Sequence, residues 1–322
     1  MSQLPVQLSL FPEEAEQDSF AEISEVAWSY SRRSVFERCL RQYYYDYFGS
    51  KKRAAIDDAD KQQIQFLSTL QSRYLRAGNI VHTVIRVALQ KAQKGEYWSA
   101  DRLTGWGLSL LRDDRNFSRR SPDGDGTLDV PYPPQLLLEY HYRVVDVEAI
   151  YDDTEKRIFN ALSAFANSPV LDEFRSHGQQ PGSYIEKRFT LKTLGCKVEG
   201  QIDLAYQTDD AITIVDWKIG EEDGIGEDSL QMAVYVLWAL DHFNCSPHQV
   251  RVFKAYLGSE SATEFNIDVA KLDAAKIRIL QDAERLASVQ TYGEQGVAAA
   301  FTPRYQKLIC STCPYQRLCY GT

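Results

Sequence analysis

Long hydrophobic runs, a disulfide-scale cysteine content and an excess of positive charge are all missing from this 322-residue chain. The longest apolar stretches, such as AVYVLWAL, fall far short of the roughly 20 residues a membrane-spanning helix needs, so no span is expected. The first segment has neither the basic start nor the apolar centre of a secretory signal, and the expected location is the cytoplasm. Six cysteines in a chain this long are too sparse for a secreted disulfide scaffold. Internal repeats are absent too. What is present is an apolar content of 44% with 12% aromatics, ample for a buried core in one large domain or two modest ones.

The net charge of −9 argues against a nucleic-acid partner only until its placement is read. Residues 1–25 hold six acids (Glu13, Glu14, Glu16, Asp18, Glu22, Glu25) and no Lys or Arg, which leaves −3 on the remainder. Against that near-neutral body, Arg32, Arg33, Arg38, Arg41, Lys51, Lys52 and Arg53 form a basic stretch that either follows a phosphate backbone or is a solvated helix face.

Residues 1–25 lack periodicity and read as a disordered acidic tail. A helix is expected from Ser31 through Phe48, closed by Gly49, with two or three more between about 60 and 115. SPDGDG and PYPP mark a surface loop from Arg119 to Pro134. Helical signal resumes from about 136 to 167 and stops at Ser168-Pro169. The period then falls to 2: residues 183–192, 196–207 and 211–218 read as three consecutive strands. GEEDGIGEDS is a loop, 229–243 a helix, 249–258 and 262–268 two further strands, and 270–288 a helix. Helices followed by a small sheet give a mixed α+β fold.

Two carboxylates and a lysine stand out in this sheet. On AITIVDWK, Asp216 and Lys218 share one face. If the preceding turn centres between Asp209 and Asp210, Asp203 lies directly opposite Asp216. Facing like charges destabilise a sheet, and a divalent cation between them resolves the conflict. A register one residue away would separate them, and D-x-K alone also describes a surface ion pair. Oxygen ligands suit Mg²⁺ or Mn²⁺, which acidify water and clamp a phosphate, and Lys218 can orient that water or offset developing charge.

GQIDLAYQ, TIVDWKIG and QMAVY together resemble the PD-(D/E)XK nuclease superfamily, specifically its RecB-like branch. The matches are Gly200 to Asp203, Asp216 to Lys218, and Gln231 with Tyr235, which sit four residues apart on one helical face. The resemblance implies a metal-dependent deoxyribonuclease in which Gln231 and Tyr235 support the lysine and contact DNA. It extends to G-x-x-x-H at Gly78 and His82, the histidine being a metal ligand in the family. Glu186 matches a glutamate often found on the first strand.

The cysteines complete the pattern. CSTCPYQRLC, residues 310–319, is C-x2-C-x5-C, a spacing that favours ligation but supplies three ligands where four are usual. The iron-sulfur subset of RecB-like nucleases, including CRISPR adaptation nucleases and AddB subunits, pairs such a segment with a distant cysteine in a Tyr-rich helix. By that resemblance the ligands of a [4Fe-4S] cluster are Cys39, Cys310, Cys313 and Cys319; Leu40 stands where many relatives have Pro. Chemistry alone leaves zinc equally open.

QLSLF, Gln7 to Phe11, resembles the peptide with which bacterial repair proteins dock on the sliding clamp, through Gln7, Leu8, Leu10 and Phe11; a tail packing on its own body is the alternative. The expected layout is a tail (1–25), a helical region contributing Cys39 and His82 (26–182), a nuclease core (183–290) and a cluster-binding segment (291–322). The expected activity is exonucleolytic, on single-stranded or frayed DNA ends, in repair, recombination or defence, with helicase or defence-complex subunits as further partners. The rivals are a non-catalytic DNA-end-binding subunit and a restriction-type endonuclease.

Overall fold

The computed structural model describes residues 26–124, 130–192, 195–220 and 228–320. The QLSLF peptide, most of the GEEDGIGEDS loop and the centre of the 119–134 loop lie outside the described residues.

A two-residue strand, β1 (Ala27–Trp28), leads into α1 (Tyr30–Arg38), α2 (Leu40–Tyr44) and a π-helical turn at Tyr45–Gly49. The expected single helix over this stretch is therefore broken at Cys39, whose backbone is extended at φ −163° and ψ 114°. Leu40 stands at the first position of α2, where a fixed proline φ would fit equally well, so the break survives without the proline. Next come α3 (Asp58–Ser68), α4 (Arg73–Ala92), α5 (Ala100–Arg120), α6 (Leu138–His141), α7 (Val147–Asn167) and α8 (Asp172–Gly178). The sheet strands are β2 (Tyr184–Leu191), β3 (Lys197–Gln207), β4 (Ile212–Lys218), β5 (Val250–Tyr256) and β6 (Ser261–Glu264). Helix α9 (Asp228–Phe243) joins β4 to β5, α10 (Val269–Ala287) follows β6, and α11 (Gln290–Glu294), α12 (Lys307–Cys310) and α13 (Gln316–Tyr320) close the chain.

The six strands form one mixed sheet, the expected α+β class. β3 is antiparallel to both β2 and β4, and β4 runs parallel to β5 because α9 crosses over between them. β1 adds parallel to the start of β3: Val198 pairs with Trp28 on one edge and Leu191 on the other. Each face of the sheet buries its own core. Ile212, Ile214 and Val252 pack with α9, α10 and the aromatic residues of α1 and α2, whereas Val215, Trp217 and Phe253 pack with α4, α5 and α7.

Helix α4 is held firmly, which matters because His82 lies on it. Ser72 caps its start by accepting the Leu75 N–H, and Ile80, Val81, Val84, Ile85 and Leu89 are buried along one stripe. Arg76 makes a two-pronged pair with the fully buried Asp114 of α5, at 2.6 and 3.1 Å, and Asp114 also accepts the Gln135 N–H at 2.7 Å.

Three of the seven residues of the basic stretch are consumed by the fold, and Arg38 is exposed. Arg33 is buried against Asp282 at 2.8 Å, Arg32 donates to the Tyr43 hydroxyl and the Ala27 carbonyl, and Arg41 donates to the Phe301 carbonyl. Lys51, Lys52 and Arg53 remain exposed.

Candidate active site

The site lies where β3 and β4 part company. Their ladder pairs Gln207 with Ile212 and continues to Leu204 opposite Val215, so the next opposed residues are Asp203 and Asp216. There the backbone pairing stops. Instead the Asp203 side chain reaches across, and its Oδ2 accepts the Trp217 N–H at 2.8 Å. A side chain thus replaces the ladder bond at the fork, satisfying an N–H that would otherwise be buried unpaired.

On the other edge of β3, the register with β2 sets Ile185 opposite Leu204 and Lys187 opposite Ile202, which leaves Glu186 opposite Asp203. Glu186 does not join the ladder: its φ is +51°, a left-handed backbone uncommon for a residue with a β-carbon. Asp203 therefore stands between an acid on β2 and an acid on β4. Strain of this kind, of order 1–3 kcal/mol, persists only where surrounding contacts enforce it. Gln201 supplies one, donating to the Glu186 carboxylate.

His82 approaches this acidic row from α4. Its Nε2 is 3.1 Å from the Trp217 carbonyl, a geometry that assigns that nitrogen its proton and leaves Nδ1 facing the carboxylates. Nδ1 lies 3.4 Å from Asp203 Oδ1 and 3.5 Å from Glu186 Oε1. Burial pushes the imidazole down, but Asp203 and Glu186 outweigh it and hold His82 well above the usual histidine range. Asp203 itself is pushed up, by burial first and by its two acidic neighbours, against the pull of His82. Ligand atoms of His82, Glu186 and Asp203 all fall within 4.8 Å of one another, a donor set of one imidazole and two carboxylates that fits a hard divalent ion.

Asp216 is engaged differently. It is 3% exposed, its Oδ2 lies 2.6 Å from Lys218 Nζ, and its Oδ1 accepts the Tyr235 hydroxyl at 3.1 Å. Gln231 on α9 donates to the Tyr235 oxygen at 2.9 Å and lies 3.4 Å from Asp216 Oδ1. Burial first, then Asp216 and Asp203, raise Tyr235 well above its ordinary 10.0, so it stays a phenol that donates. The structure thus brings His82, Asp203 and Glu186 into one group and Asp216, Lys218, Gln231 and Tyr235 into another beside it. Sequence reasoning missed the Trp217 carbonyl that orients His82, and Lys254, which is buried on β5 in register with Asp216. An apolar run around one lysine, VFKAY, is the signal that marks such a position.

About the C-terminal helices, Cys39, Cys310, Cys313 and Cys319 line one small pocket with Tyr45 and Tyr315. Cys39 sulfur accepts the Arg304 N–H at 3.4 Å, and Cys310 sulfur lies 3.7 Å from the Arg304 carbonyl. Burial above all pushes the Cys313 thiol up to about 12. Among the described residues, no three of these sulfurs lie within 4.8 Å of one another. Cys196 and Cys245 lie outside the lining of this pocket.

A family model for the PD-(D/E)XK nuclease superfamily matches residues 27–320. No curated protein matches the chain.

Proposed function

The chain belongs to the PD-(D/E)XK nuclease superfamily, and from that premise we propose that it is a metal-dependent deoxyribonuclease, an exonuclease of single-stranded or frayed DNA ends acting in the cytoplasm. The observation that carries this is the convergence of His82, Glu186 and Asp203 beside the Asp216–Lys218 pair.

His82, Asp203 and Asp216 hold Mg²⁺ or Mn²⁺ in this reading, with Glu186 joining them. Such an ion supplies Lewis acidity to a phosphate oxygen and acidifies water. The protein's own groups do the rest. The Trp217 carbonyl keeps a proton on His82 Nε2, so Nδ1 is the nitrogen that would give up its proton and offer its lone pair to an ion. Tyr235 and Gln231 lock the Asp216 carboxylate in one orientation. Lys218, its side chain about a third exposed, holds an ammonium where negative charge grows on the phosphoryl oxygens, and orients the attacking water.

The four cysteines fit a [4Fe-4S] cluster. They line one pocket, and four thiolates are the ligand set that the resemblance implies for such a cluster. In the QLSLF peptide, Gln7, Leu8, Leu10 and Phe11 dock on a bacterial sliding clamp. Undiminished capture of the clamp by a Leu10→Ala, Phe11→Ala chain would remove that docking step. Helicase or defence-complex subunits are the remaining partners of this reading.

The decisive experiment incubates anaerobically purified protein with end-labelled single-stranded DNA and Mn²⁺, beside Asp216→Ala. Shortened products from the parent alone are expected. Equal behaviour of the two proteins would favour a non-catalytic end-binding subunit, and internal cuts in closed circular DNA would mark a restriction-type endonuclease.

A further inference from the structure

Helix α4 presents groups that the metal site does not use. Tyr74, Gly78 and His82 recur every four residues and so form one line along the helix. Tyr74 is 49% exposed and Leu75 beside it 55%. An exposed tyrosine is usually mobile, but this one is held. The Arg73 guanidinium lies 4.5 Å from its ring centroid and donates to its hydroxyl at 2.6 Å. Arg73 is in turn anchored to the Ile150 carbonyl at 3.2 Å and to Asp153 at 3.3 Å. One face of the ring is therefore covered, and the remaining exposure leaves the other available.

The space between Tyr74 and His82 is open. A β-carbon on Gly78 would meet nothing within 4 Å. Tyr74, Leu75, Gly78, His82 and Arg86 line a single cleft with Asp203, of about 470 Å³. Eight residues of helix place Tyr74 about 12 Å from His82 along the axis, and Arg86 lies about 6 Å beyond His82 on the opposite side. Arg86 forms no ion pair with any described residue.

We propose that Tyr74, flanked by Leu75, is a stacking platform for an unpaired base of the strand being cut, and that it selects single-stranded ends. This deepens the nuclease reading and rests on it. The physical reason is that stacking needs a base with a free face. Inside a duplex both faces of every base are covered by neighbours, so engagement there requires unstacking first. A base at a single-stranded or frayed end engages without that penalty. Gly78 leaves room for the sugar–phosphate chain to pass from the platform to the metal site, and Arg86 takes a phosphate on the far side. Because Arg73 fixes the ring beforehand, little side-chain freedom is lost on binding.

The test measures binding of the full chain, without divalent ion so that no strand is cut, to two single-stranded oligonucleotides: one with ordinary bases and one abasic throughout. The parent is expected to bind the ordinary strand about 5- to 150-fold more tightly, the range that one stacked base produces. Tyr74→Phe keeps the ring, loses only the hydroxyl bond to Arg73, and should retain the difference. Tyr74→Ala should shrink it several-fold. Loss of the difference in Tyr74→Phe as severe as in Tyr74→Ala would overturn the proposal, because the role would then be to anchor Arg73. A parent indifferent to base removal would also overturn it, and that result does not depend on any variant folding. Cleavage by the parent but not by Asp216→Ala would still uphold the nuclease reading in that case. Absence of cleavage by the parent would remove both.

Discussion

Asp203 is the residue on which the site turns, because one carboxylate does two jobs. Oδ2 closes the fork between β3 and β4 through the Trp217 N–H, and Oδ1 faces His82. Asp203→Asn keeps an oxygen for one job and puts an amide at the other. Tyr235 offers a gentler probe. Tyr235→Phe removes the hydroxyl donor to Asp216 and the acceptor of Gln231, and leaves the contacts of Lys218 and Gln231 to Asp216 in place. We expect a loss of about 1 kcal/mol in stability and roughly a tenfold drop in kcat with Mn²⁺, checked by thermal melting and by single-turnover cleavage. The adjacency of Asp203 and Asp216 was legible in the sequence, since strand alternation and a turn at Thr208–Ala211 determine it. Glu186 was placed on the first strand only through the family resemblance, and its left-handed backbone was not legible. A left-handed backbone in the middle of a strand leaves no trace in a period-2 pattern, and the residue type there is not one that signals it.

At the level of elements, strand positions were legible to within a residue or two over 184–218, because short turns bound runs rich in β-branched and aromatic residues; alternation shows only at the end of β2, and β4 is buried from Ile212 to Trp217. β1 was not legible: two residues are too few to carry a period. Nor was the break at Cys39, since the apolar spacing of 31–48 runs through it undisturbed while the backbone turns extended. The glycine of the G-x-I-D motif has a packing reason. Gly200 pairs with Phe189 on β2, whose ring lies 2.3 Å from where a β-carbon would stand. Gly200→Ala should lower stability by about 1–3 kcal/mol through overpacking, seen as a lower Tm with the metal-site residues unchanged. Between α5 and α7, Glu148 accepts from Arg119, from Arg115 at 2.7 Å and from the Tyr140 hydroxyl at 3.0 Å. The Arg119 bond above all lowers its pKa from 4.5 to about 2. A depressed carboxylate stabilises the fold above its unfolded value and loses that contribution as pH falls through the folded one. The stability difference between the parent and Glu148→Gln should therefore be constant above 4.5 and vanish on acidification toward 2, a small gap because the carboxylate is half-exposed. Chemical denaturation across that range measures it.

For the molecule as a whole, the notable connection joins distant parts of the chain. Phe301 is fully buried against Tyr43, Tyr44 and Phe48, and Tyr315 packs on Tyr45 while its hydroxyl donates to Asp46 at 2.7 Å. Cys39 is brought to the same pocket as Cys310, Cys313 and Cys319. In the cluster reading, Cys313→Ala should cost solubility or several °C of Tm before it costs chemistry, and should abolish an absorbance shoulder near 400 nm typical of such clusters. A soluble variant of unchanged Tm would refute that coupling.

The same connection imposes an order in time. The tyrosines after Cys39 leave the ribosome some 250 residues before the aromatic side chains that cover them. At 5–20 residues per second, that is roughly 13–50 s during which Tyr43 and Tyr44 have no native partner from the C-terminal part. A chain abandoned midway through translation never acquires Phe301 or Tyr315, and so never buries this surface. An unfinished copy would thus reach the cell's proteases with a sticky aromatic patch still open, marked for removal.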